Sequence, residues 1–237
     1  WMRAAKGHEV DPTTLQYKSG DAYKFAVRGK SNQQAIFIDS TGRAYSLSAH
    51  TLPSARGQGE PVSGRVNPPS GATFEGVVIG EEDKEVLLAS DAGYGFVGKI
   101  GDLISKNRSG KNILNLPKGS QVLPALMVND YKTDCIVAIT NEGRMLMFPL
   151  SDLPKLAKGK GNKIVSIPTA RVADRLEFVV ALAVLNLTDS LTVFAGKRYH
   201  ILKPSDLEHY RGERGRRGNK LPRGFQNVDR VEVVIKE

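Results

Sequence analysis

The sequence predicts an all-β fold, a propeller-like ring of small four-stranded sheets, and three observations support that prediction. First, 24 glycines and 12 prolines among 237 residues, with no sustained 3.6-residue hydrophobic period, favour short strands joined by turns. Second, the sequence repeats with a period of about fifty residues. Third, the basic residues are concentrated in loops that recur with that period. A hydrophobic content of 40% is enough to form a sizeable core.

The repeat is clearest at four turns, "DSTGRAY", "SDAGYGF", "TNEGRML" and "VFAGKRY". Their glycines are Gly42, Gly93, Gly143 and Gly196, at spacings of 51, 50 and 53 residues. An apolar stretch of the kind found in buried strands precedes each turn, and glycine suits the left-handed position of a tight hairpin. Each repeat is therefore predicted to contain a β-hairpin.

Other positions keep the same register. A bulky residue, which we assign to the core rather than to base stacking, stands three places after each glycine: Tyr45, Phe96, Leu146 and Tyr199. A leucine opens each following loop, at Leu52, Leu103, Leu153 and Leu207. A second glycine lies inside each loop, at Gly59, Gly110, Gly161 and Gly218. Further apolar runs bring each unit to about four strands. The segment Val172 to Leu185 suits a helix by composition, but the register predicts that "FVVALAVL" is a strand.

The opening "WMRAAKGHEV" resembles the tail of one more repeat, with Gly7 and Val10 in the place of the loop glycine and its apolar partner. We predict one domain over residues 1–237 with five repeats: 1–35 (partial), 36–85, 86–135, 136–189 and 190–237. Such units cannot bury their faces alone, so they must stack, and a five-bladed propeller follows. The period exceeds the roughly 40–45 residues of WD repeats, and no Trp-Asp pair occurs.

The formal net charge of +9 is localised. Segments 106–111, 155–163 and 211–223 contain 13 of the 34 Lys and Arg residues and a single acid, Glu213, while the rest of the chain is slightly acidic. Charge focused in glycine-containing loops indicates a polyanionic partner. The alternative for any single loop is a solvated turn. The candidate residues are Arg56, Lys106, Arg108, Lys111, Lys158, Lys160, Lys163, Arg214, Arg216, Arg217, Lys220 and Arg223. Arg56 is the weakest of these, because its loop also carries Glu60.

Several classes of protein are disfavoured. There is no apolar run of about 18 residues and no secretory signal pattern, so we expect a cytoplasmic location. Cys135 lies in the apolar run "CIVAI" and is expected to be buried rather than nucleophilic. His8, His50, His200 and His209 lack metal-ligand spacing, and no Walker box or nucleophile elbow occurs. We therefore predict no catalytic residue, metal or cofactor in this chain. Its start at Trp1 suggests a fragment of a longer protein.

The turns and loops resemble the C-terminal DNA-wrapping domain of bacterial type IIA topoisomerases, a family shared by gyrase and topoisomerase IV. Gyrase members carry a box close to Gln-Arg-Arg-Gly-Gly-Lys-Gly. The segment Gly215–Leu221 matches it at Arg216, Arg217, Gly218 and Lys220, and departs from it at the other three positions. The first repeat keeps only a lysine and a glycine of the box. That loss favours the gamma-proteobacterial topoisomerase IV branch, and the resemblance covers essentially all of the chain.

The resemblance implies a five-bladed β-pinwheel whose blades exchange hairpins, with a ring that is either open or closed. It implies sequence-independent binding and bending of duplex DNA by the twelve candidate residues, and a nucleoid-associated location. The domain would present substrate to an ATP-dependent type II topoisomerase that decatenates and relaxes DNA for chromosome segregation. The catalytic tyrosine, ATP and Mg²⁺ would then belong elsewhere, on the remainder of a dimeric A subunit or on the ATPase B subunit.

Two other functions remain open from the residues alone. A protein-interaction propeller could use the basic loops to bind an acidic partner. An RNA-binding β domain is a third possibility, although no RNP-type aromatic motif supports it. The same charged loops would serve all three, so binding to duplex DNA at low salt is the discriminating observation.

Overall fold

The computed structural model describes residues 1–7 and 9–237, so His8 lies outside the described residues. Strands dominate this part of the chain. In chain order they are β1 (Gln34–Asp39), β2 (Arg43–Ser48), β3 (Phe74–Ile79), β4 (Glu85–Ser90), β5 (Tyr94–Lys99), β6 (Lys111–Asn112), β7 (Leu126–Met127), β8 (Cys135–Thr140), β9 (Arg144–Pro149), β10 (Asn162–Lys163), β11 (Val179–Leu185), β12 (Ser190–Ala195), β13 (Arg198–Leu202), β14 (Asn219–Lys220) and β15 (Arg230–Val234).

Helical structure is confined to single turns. The α-helices are α1 (Ile100–Leu103), α2 (Thr169–Ala173) and α3 (Pro204–Leu207). Short 3₁₀ turns cover Pro12–Thr14, Ala49–Thr51, Val62–Gly64, Leu150–Asp152 and Glu208–Tyr210. Among the described residues, no helix has the length and hydropathy needed to cross a membrane.

The strands form sheets that share one plan. The first sheet has the order β3-β1-β2-β6, the second β7-β4-β5-β10, the third β11-β8-β9-β14, and the fourth only β15-β12-β13. In each sheet the two hairpin strands lie side by side, with a later strand of the same repeat beside the first of them. The all-β, propeller-like prediction is confirmed. The predicted strand in the "FVVALAVL" segment is also confirmed as β11, and α2 precedes it.

A two-residue strand from the following repeat completes three of the sheets. Its pairing is equivalent each time: Lys111 faces Ala44, Asn162 faces Gly95, and Asn219 faces Met145. Each repeat thus extends the sheet of the repeat before it, which is the kind of exchange that the family resemblance implied. The fourth sheet has no such strand among the described residues.

The N-terminal segment takes the place of a hairpin strand. Met2 bridges to Glu60 and Ala4 bridges to Ser54, in the same antiparallel and parallel pattern by which β5 and β9 meet the loops beside them. Met2 is therefore the counterpart of Ala44. The predicted equivalence of Gly7 with the loop glycines is wrong, because strand pairing rather than local spacing sets the register.

The described residues group into two compact units. One contains 1–84 and 99–113, and the other contains 85–98 and 114–237. The single domain and its repeat boundaries stay predictions. In the first unit, the core lies around Phe37 and Tyr45 of the first sheet. In the second unit, one core lies between the second and third sheets and another between the third and fourth.

The predicted core position is occupied as expected in three sheets and not in the fourth. Tyr45, Phe96 and Leu146 are buried, whereas Tyr199 is 66% exposed, so its assignment to the core is wrong. The reason is that the fourth hairpin has a two-residue turn, one residue shorter than the turns at Gly42 and Gly143, which puts Tyr199 on the face opposite to the buried Val193. Cys135 is buried, as predicted, and burial raises the pKa of its thiol.

Candidate nucleic-acid interface

The basic loops are positioned by a short helical turn at one end and a glycine at the other. Leu103 ends α1 and Leu207 ends α3, and both are buried, which fixes where each loop begins. The loop then returns to the previous hairpin through a left-handed glycine. A Cβ on Gly218 would lie 2.5 Å from the carbonyl oxygen of Met145, and a Cβ on Gly161 would collide with the backbone of Gly95. The glycines are therefore required for strand exchange, whatever the loop binds.

Neighbouring loops are joined by one backbone hydrogen bond at an equivalent position. In the first unit, the Asn67 N–H donates to the Arg108 carbonyl at 2.8 Å. In the second unit, the Asn115 N–H donates to the Gly159 carbonyl at 2.9 Å, and the Ser166 N–H donates to the Arg216 carbonyl at 3.0 Å. Within each unit, consecutive loops thus share a common edge of the sheets.

In the loops of the first unit, three of the predicted basic side chains are exposed, and some of the charged groups also make hydrogen bonds or ion pairs. Arg56, Lys106 and Arg108 are exposed, and the Arg108 Nε donates to the Arg65 carbonyl at 3.0 Å. Glu60, in the same loop as Arg56, pairs with Arg65 at 2.9 Å. The acid that weakened Arg56 as a candidate is therefore already neutralised within the unit.

In the second unit, the loop before β10 presents Lys158 and Lys160 to solvent, with Lys163 half-buried on the strand. The Lys160 Nζ lies 4.4 Å from the centroid of the Tyr94 ring, a cation–π contact that orients its charge over the neighbouring hairpin. Both exposed lysines remain able to contact a further anion.

The last loop, Glu213–Gly218, mixes anchored and exposed arginines. The Arg214 Nη1 donates to the Lys163 carbonyl at 2.8 Å. Arg216 is exposed and pairs with the exposed Glu213 at 2.8 Å, while the neighbouring Arg217 contacts the buried Glu177 at 2.9 Å. Beyond the loop, Lys220 and Arg223 are exposed.

The predicted residues therefore fall into two groups. The exposed group is Arg56, Lys106, Arg108, Lys158, Lys160, Arg216, Lys220 and Arg223. The half-buried group is Lys111, Lys163, Arg214 and Arg217. The first four residues of the prediction belong to the first unit and the other eight to the second. Their role in binding DNA stays a prediction.

Two arginines that the sequence analysis missed donate hydrogen bonds to backbone carbonyls of the loops. The Arg43 Nη2 donates to the carbonyls of Ser109 and Gly110 at 2.8 and 3.0 Å, and the Arg144 Nη1 donates to the Gly218 carbonyl at 3.0 Å. Both arginines come directly after a hairpin glycine. The recurring Gly-Arg pair in "STGRAY" and "NEGRML" was the available signal.

Arg211, near the last loop, is already paired with a carboxylate. Arg211 makes two hydrogen bonds to the Glu208 carboxylate, at 2.7 and 2.8 Å, and these lower the pKa of Glu208. The pair is internally neutral. No group of three or more His, Cys, Asp or Glu side chains suited to a metal ion occurs at positions 1–7 and 9–237.

Comparison with known proteins places these features in a family. The sequence profile of the DNA gyrase C-terminal domain, a β-propeller, matches residues 84–129 and 136–186. The A subunit of DNA topoisomerase 4 from Pseudomonas aeruginosa is 59% identical over 99% of the chain, and that from Escherichia coli K12 is 51% identical over 98%. The solved structure of the E. coli ParC C-terminal domain matches with a TM-score of 0.87 and 50% identity, covering 98% of this chain and 94% of that one.

The chain matches only part of the topoisomerase A subunits but nearly all of the solved C-terminal domain. The chain spans about a third, 31%, of the length of each full-length topoisomerase relative, but nearly all of the solved C-terminal domain. The similarity therefore concerns that domain.

Proposed function

The chain belongs to the family of β-propeller C-terminal domains found in DNA gyrase and topoisomerase IV, and from that membership we propose that it binds duplex DNA without sequence preference. The contacts would come from the glycine-hinged basic loops. The observation that carries this proposal is that consecutive loops are joined through equivalent backbone hydrogen bonds, at Arg108 in one unit and at Gly159 and Arg216 in the other.

The electrostatics of these loops suit a phosphate backbone. Duplex DNA carries about one negative charge per 1.7 Å of axis, so binding to a row of Lys and Arg is driven mainly by the release of counterions. Arginine can hold a phosphate through two parallel hydrogen bonds, whereas lysine acts as a point charge. Several contacts along a curved edge would bend the duplex, which costs roughly 1–6 kcal/mol for a site of 20–30 bp.

A salt titration tests the proposal. If the loops neutralise about six phosphates, affinity for a duplex measured by fluorescence anisotropy falls about a thousandfold between 50 and 200 mM salt. The double variant Arg216→Ala/Lys220→Ala should lower the slope of log affinity against log salt by about 2 × 0.9. Both side chains are exposed, so the fold should survive their removal.

The matched control is Lys132→Ala, an exposed lysine in the turn before β8 and outside the basic loops. It should leave the slope unchanged. A nearly flat salt dependence for the wild-type chain, or equal slopes for the double variant and the control, would contradict DNA binding by the loops. Tight binding to an acidic protein without binding to DNA would favour the protein-interaction function instead.

The wider role follows from the relatives. We propose that the bound duplex is presented to the catalytic part of a type II topoisomerase, formed by the remainder of the A subunit together with an ATPase subunit, for decatenation and supercoil relaxation. The strand-passage chemistry, with its ATP and Mg²⁺, would belong to those parts. The chain would select and bend DNA, and would not cleave it.

A further inference from the structure

A buried carboxylate lies directly behind the last basic loop. Glu177 is fully buried, between α2 and β11. Removing a carboxylate from water is costly unless cations and hydrogen bonds replace its hydration. Its presence therefore requires partners held in place by the fold.

Two arginines supply that compensation. The Arg171 Nε donates to Glu177 Oε2 at 3.0 Å from α2. From the other side, the Arg217 Nη2 donates to the same oxygen at 3.0 Å, and its Nη1 lies 2.9 Å from Oε1. The guanidinium of Arg217 thus lies within ion-pair distance of both carboxylate oxygens, with a hydrogen bond to Oε2 only, and Nη1 donates to the Ser166 carbonyl at 3.1 Å. The guanidinium of Arg217 is thus paired within the second unit, although the side chain is 40% exposed.

The Arg217–Glu177 contact is one of several that hold the Glu213–Gly218 loop in place. Gly215 N–H donates to the Ile164 carbonyl at 2.9 Å, and the Arg216 carbonyl accepts from Ser166 N–H at 3.0 Å. These bonds hold the loop against the segment 163–166, and the Arg217–Glu177 contact closes the same attachment. Arg216, the residue next to Arg217, is left with its side chain 71% exposed.

We propose that Glu177 and Arg217 form an anchor that holds the Glu213–Gly218 loop in the position from which Arg216 contacts the DNA phosphates. Arg217 is then a positioning residue rather than a phosphate ligand. The inference deepens the proposed function and rests on it. Of the two adjacent arginines, one faces inward to fix the loop and the other faces outward to bind.

If Glu177 holds the loop in place, the effect of Glu177→Gln on DNA affinity has the opposite sign to the effect expected from net charge alone. Glu177→Gln removes a negative charge, so general attraction to DNA should increase if charge alone matters. If the anchor matters, affinity for a duplex of about 30 bp instead falls about tenfold, because charge-assisted hydrogen bonds that order the loop are lost. The measurement is anisotropy at fixed salt.

The matched control is Glu213→Gln, which removes an exposed acid from the same loop, one whose ion-pair partner among the described residues is Arg216. It should raise affinity about two- to fivefold, because it frees Arg216. A buried acid and an exposed acid, removed by the same substitution, are thus expected to act in opposite directions.

A second variant covers the case in which Glu177→Gln fails to fold. Arg217→Lys keeps the charge but has only one nitrogen with which to approach the carboxylate oxygens. We expect its affinity to fall about fivefold with the salt slope unchanged, whereas Arg216→Ala should lower the slope by about 0.9. Hydrogen exchange at the amides of Gly215 and Ser166, without DNA, should quicken in both anchor variants.

The outcomes separate the two proposals. A wild-type chain that does not bind DNA would overturn the proposed function, and with it the presentation of Arg216. A wild-type chain that binds, with Glu177→Gln binding equally well or more tightly, would overturn the anchor alone. Equal binding by Arg217→Lys and the wild type would do the same, as would a lower salt slope for that variant.

Discussion

The hairpins of the first and fourth sheets carry the same residue type at the same offset along the sequence, with opposite burial. Tyr45 and Tyr199 each stand three residues after the hairpin glycine on the second hairpin strand. Tyr45 is fully buried and its hydroxyl donates to Asp39 Oδ2 at 2.6 Å, whereas Tyr199 is 66% exposed. The turns differ: a three-residue turn ending at Gly42 connects the strands of the Phe37–Tyr45 pair, whereas a two-residue turn beginning at Gly196 connects those of the Phe194–Tyr199 pair. Tyr199 therefore lies on the face opposite to the buried Leu191 and Val193.

The two sheets differ in a second way: β6, from the loop of the next repeat, completes the first sheet, and the fourth sheet has no such strand among the described residues. The loop that brings the exchanged strand also carries the basic residues, so one segment closes a sheet and presents charge. Glycine serves the first task and Lys or Arg the second. The two tasks can therefore be separated by substitution.

The largest effect should come from blocking the exchanged strand itself. A Cβ on Gly110 would lie 2.5 Å from the Ala44 carbonyl oxygen and 2.8 Å from the Tyr45 ring, at a φ of +65°. We expect Gly110→Ala to lower the free energy of unfolding by about 3 kcal/mol or more, measured by urea denaturation.

Gly196→Ala is its control in the fourth sheet. Gly196 also has a positive φ, +60°, but a Cβ there would meet nothing within 4 Å. Only the backbone strain remains, so the cost should be about 1 kcal/mol. Equal costs for the two substitutions would mean that the exchanged strand adds little to the first sheet.

The next effect concerns the tyrosine hydroxyl. Tyr45→Phe leaves the buried Asp39 carboxylate without one donor and should cost about 2 kcal/mol of unfolding free energy. Tyr199→Phe should change stability by less than about 0.5 kcal/mol, because its side chain is exposed. Thermal or urea unfolding of both variants measures the contribution of the buried hydrogen bond, and similar losses of stability for the two would contradict it.

A smaller effect is expected on DNA binding. Lys220 lies on the exchanged strand β14, so Lys220→Ala should lower the salt slope by about 0.9, which is about a three- to fourfold change between 50 and 200 mM salt. Arg198 lies on β13, the uncovered edge, and Arg198→Ala should leave the slope unchanged. Equal slopes for the two variants would show that binding does not depend on exchanged strands.

The smallest effect is expected at the turn position occupied by Ser40 in the first sheet and Asp91 in the second. Each side chain accepts a backbone N–H, from Thr73 at 3.0 Å and from Gln121 at 2.8 Å. Burial raises the pKa of Asp91 above its ordinary value of 3.8, despite the bonds from Gln121 and Arg175 that lower it.

The sign of the pH dependence follows from that shift. Because the folded state holds the Asp91 proton more tightly than the unfolded state, this group's contribution to stability falls as pH rises from about 4 through the folded pKa. Asp91→Asn should remove that fall and change stability at neutral pH by less than about 1 kcal/mol, since Asn141 fills the equivalent position in the third sheet. Urea midpoints across pH, with the exposed Asp83→Asn as control, test this. An unchanged pH profile would contradict it.

Much of the fold was predictable because the local signals agree with each other. Spaced glycines and apolar runs predicted the hairpins around Gly42, Gly93 and Gly143, and the register correctly favoured a strand at β11 over a helix. The site was predictable in part. Basic loops were found from charge alone, whereas the support from Arg43 and the inward turn of Arg217 depend on contacts between residues about 40 to 67 positions apart.

The amino-acid sequence by itself determined the all-β class, the repeat and the concentration of charge in its loops, because these depend on residue type and spacing along the chain. Only the tertiary structure decided which positions are covered and which cations are free. Tyr199 is exposed because the turn length sets which face of the sheet it occupies, and Arg217 is anchored because a distant segment brings Glu177 beside it. Two neighbours as alike as Arg216 and Arg217 can then face in opposite directions.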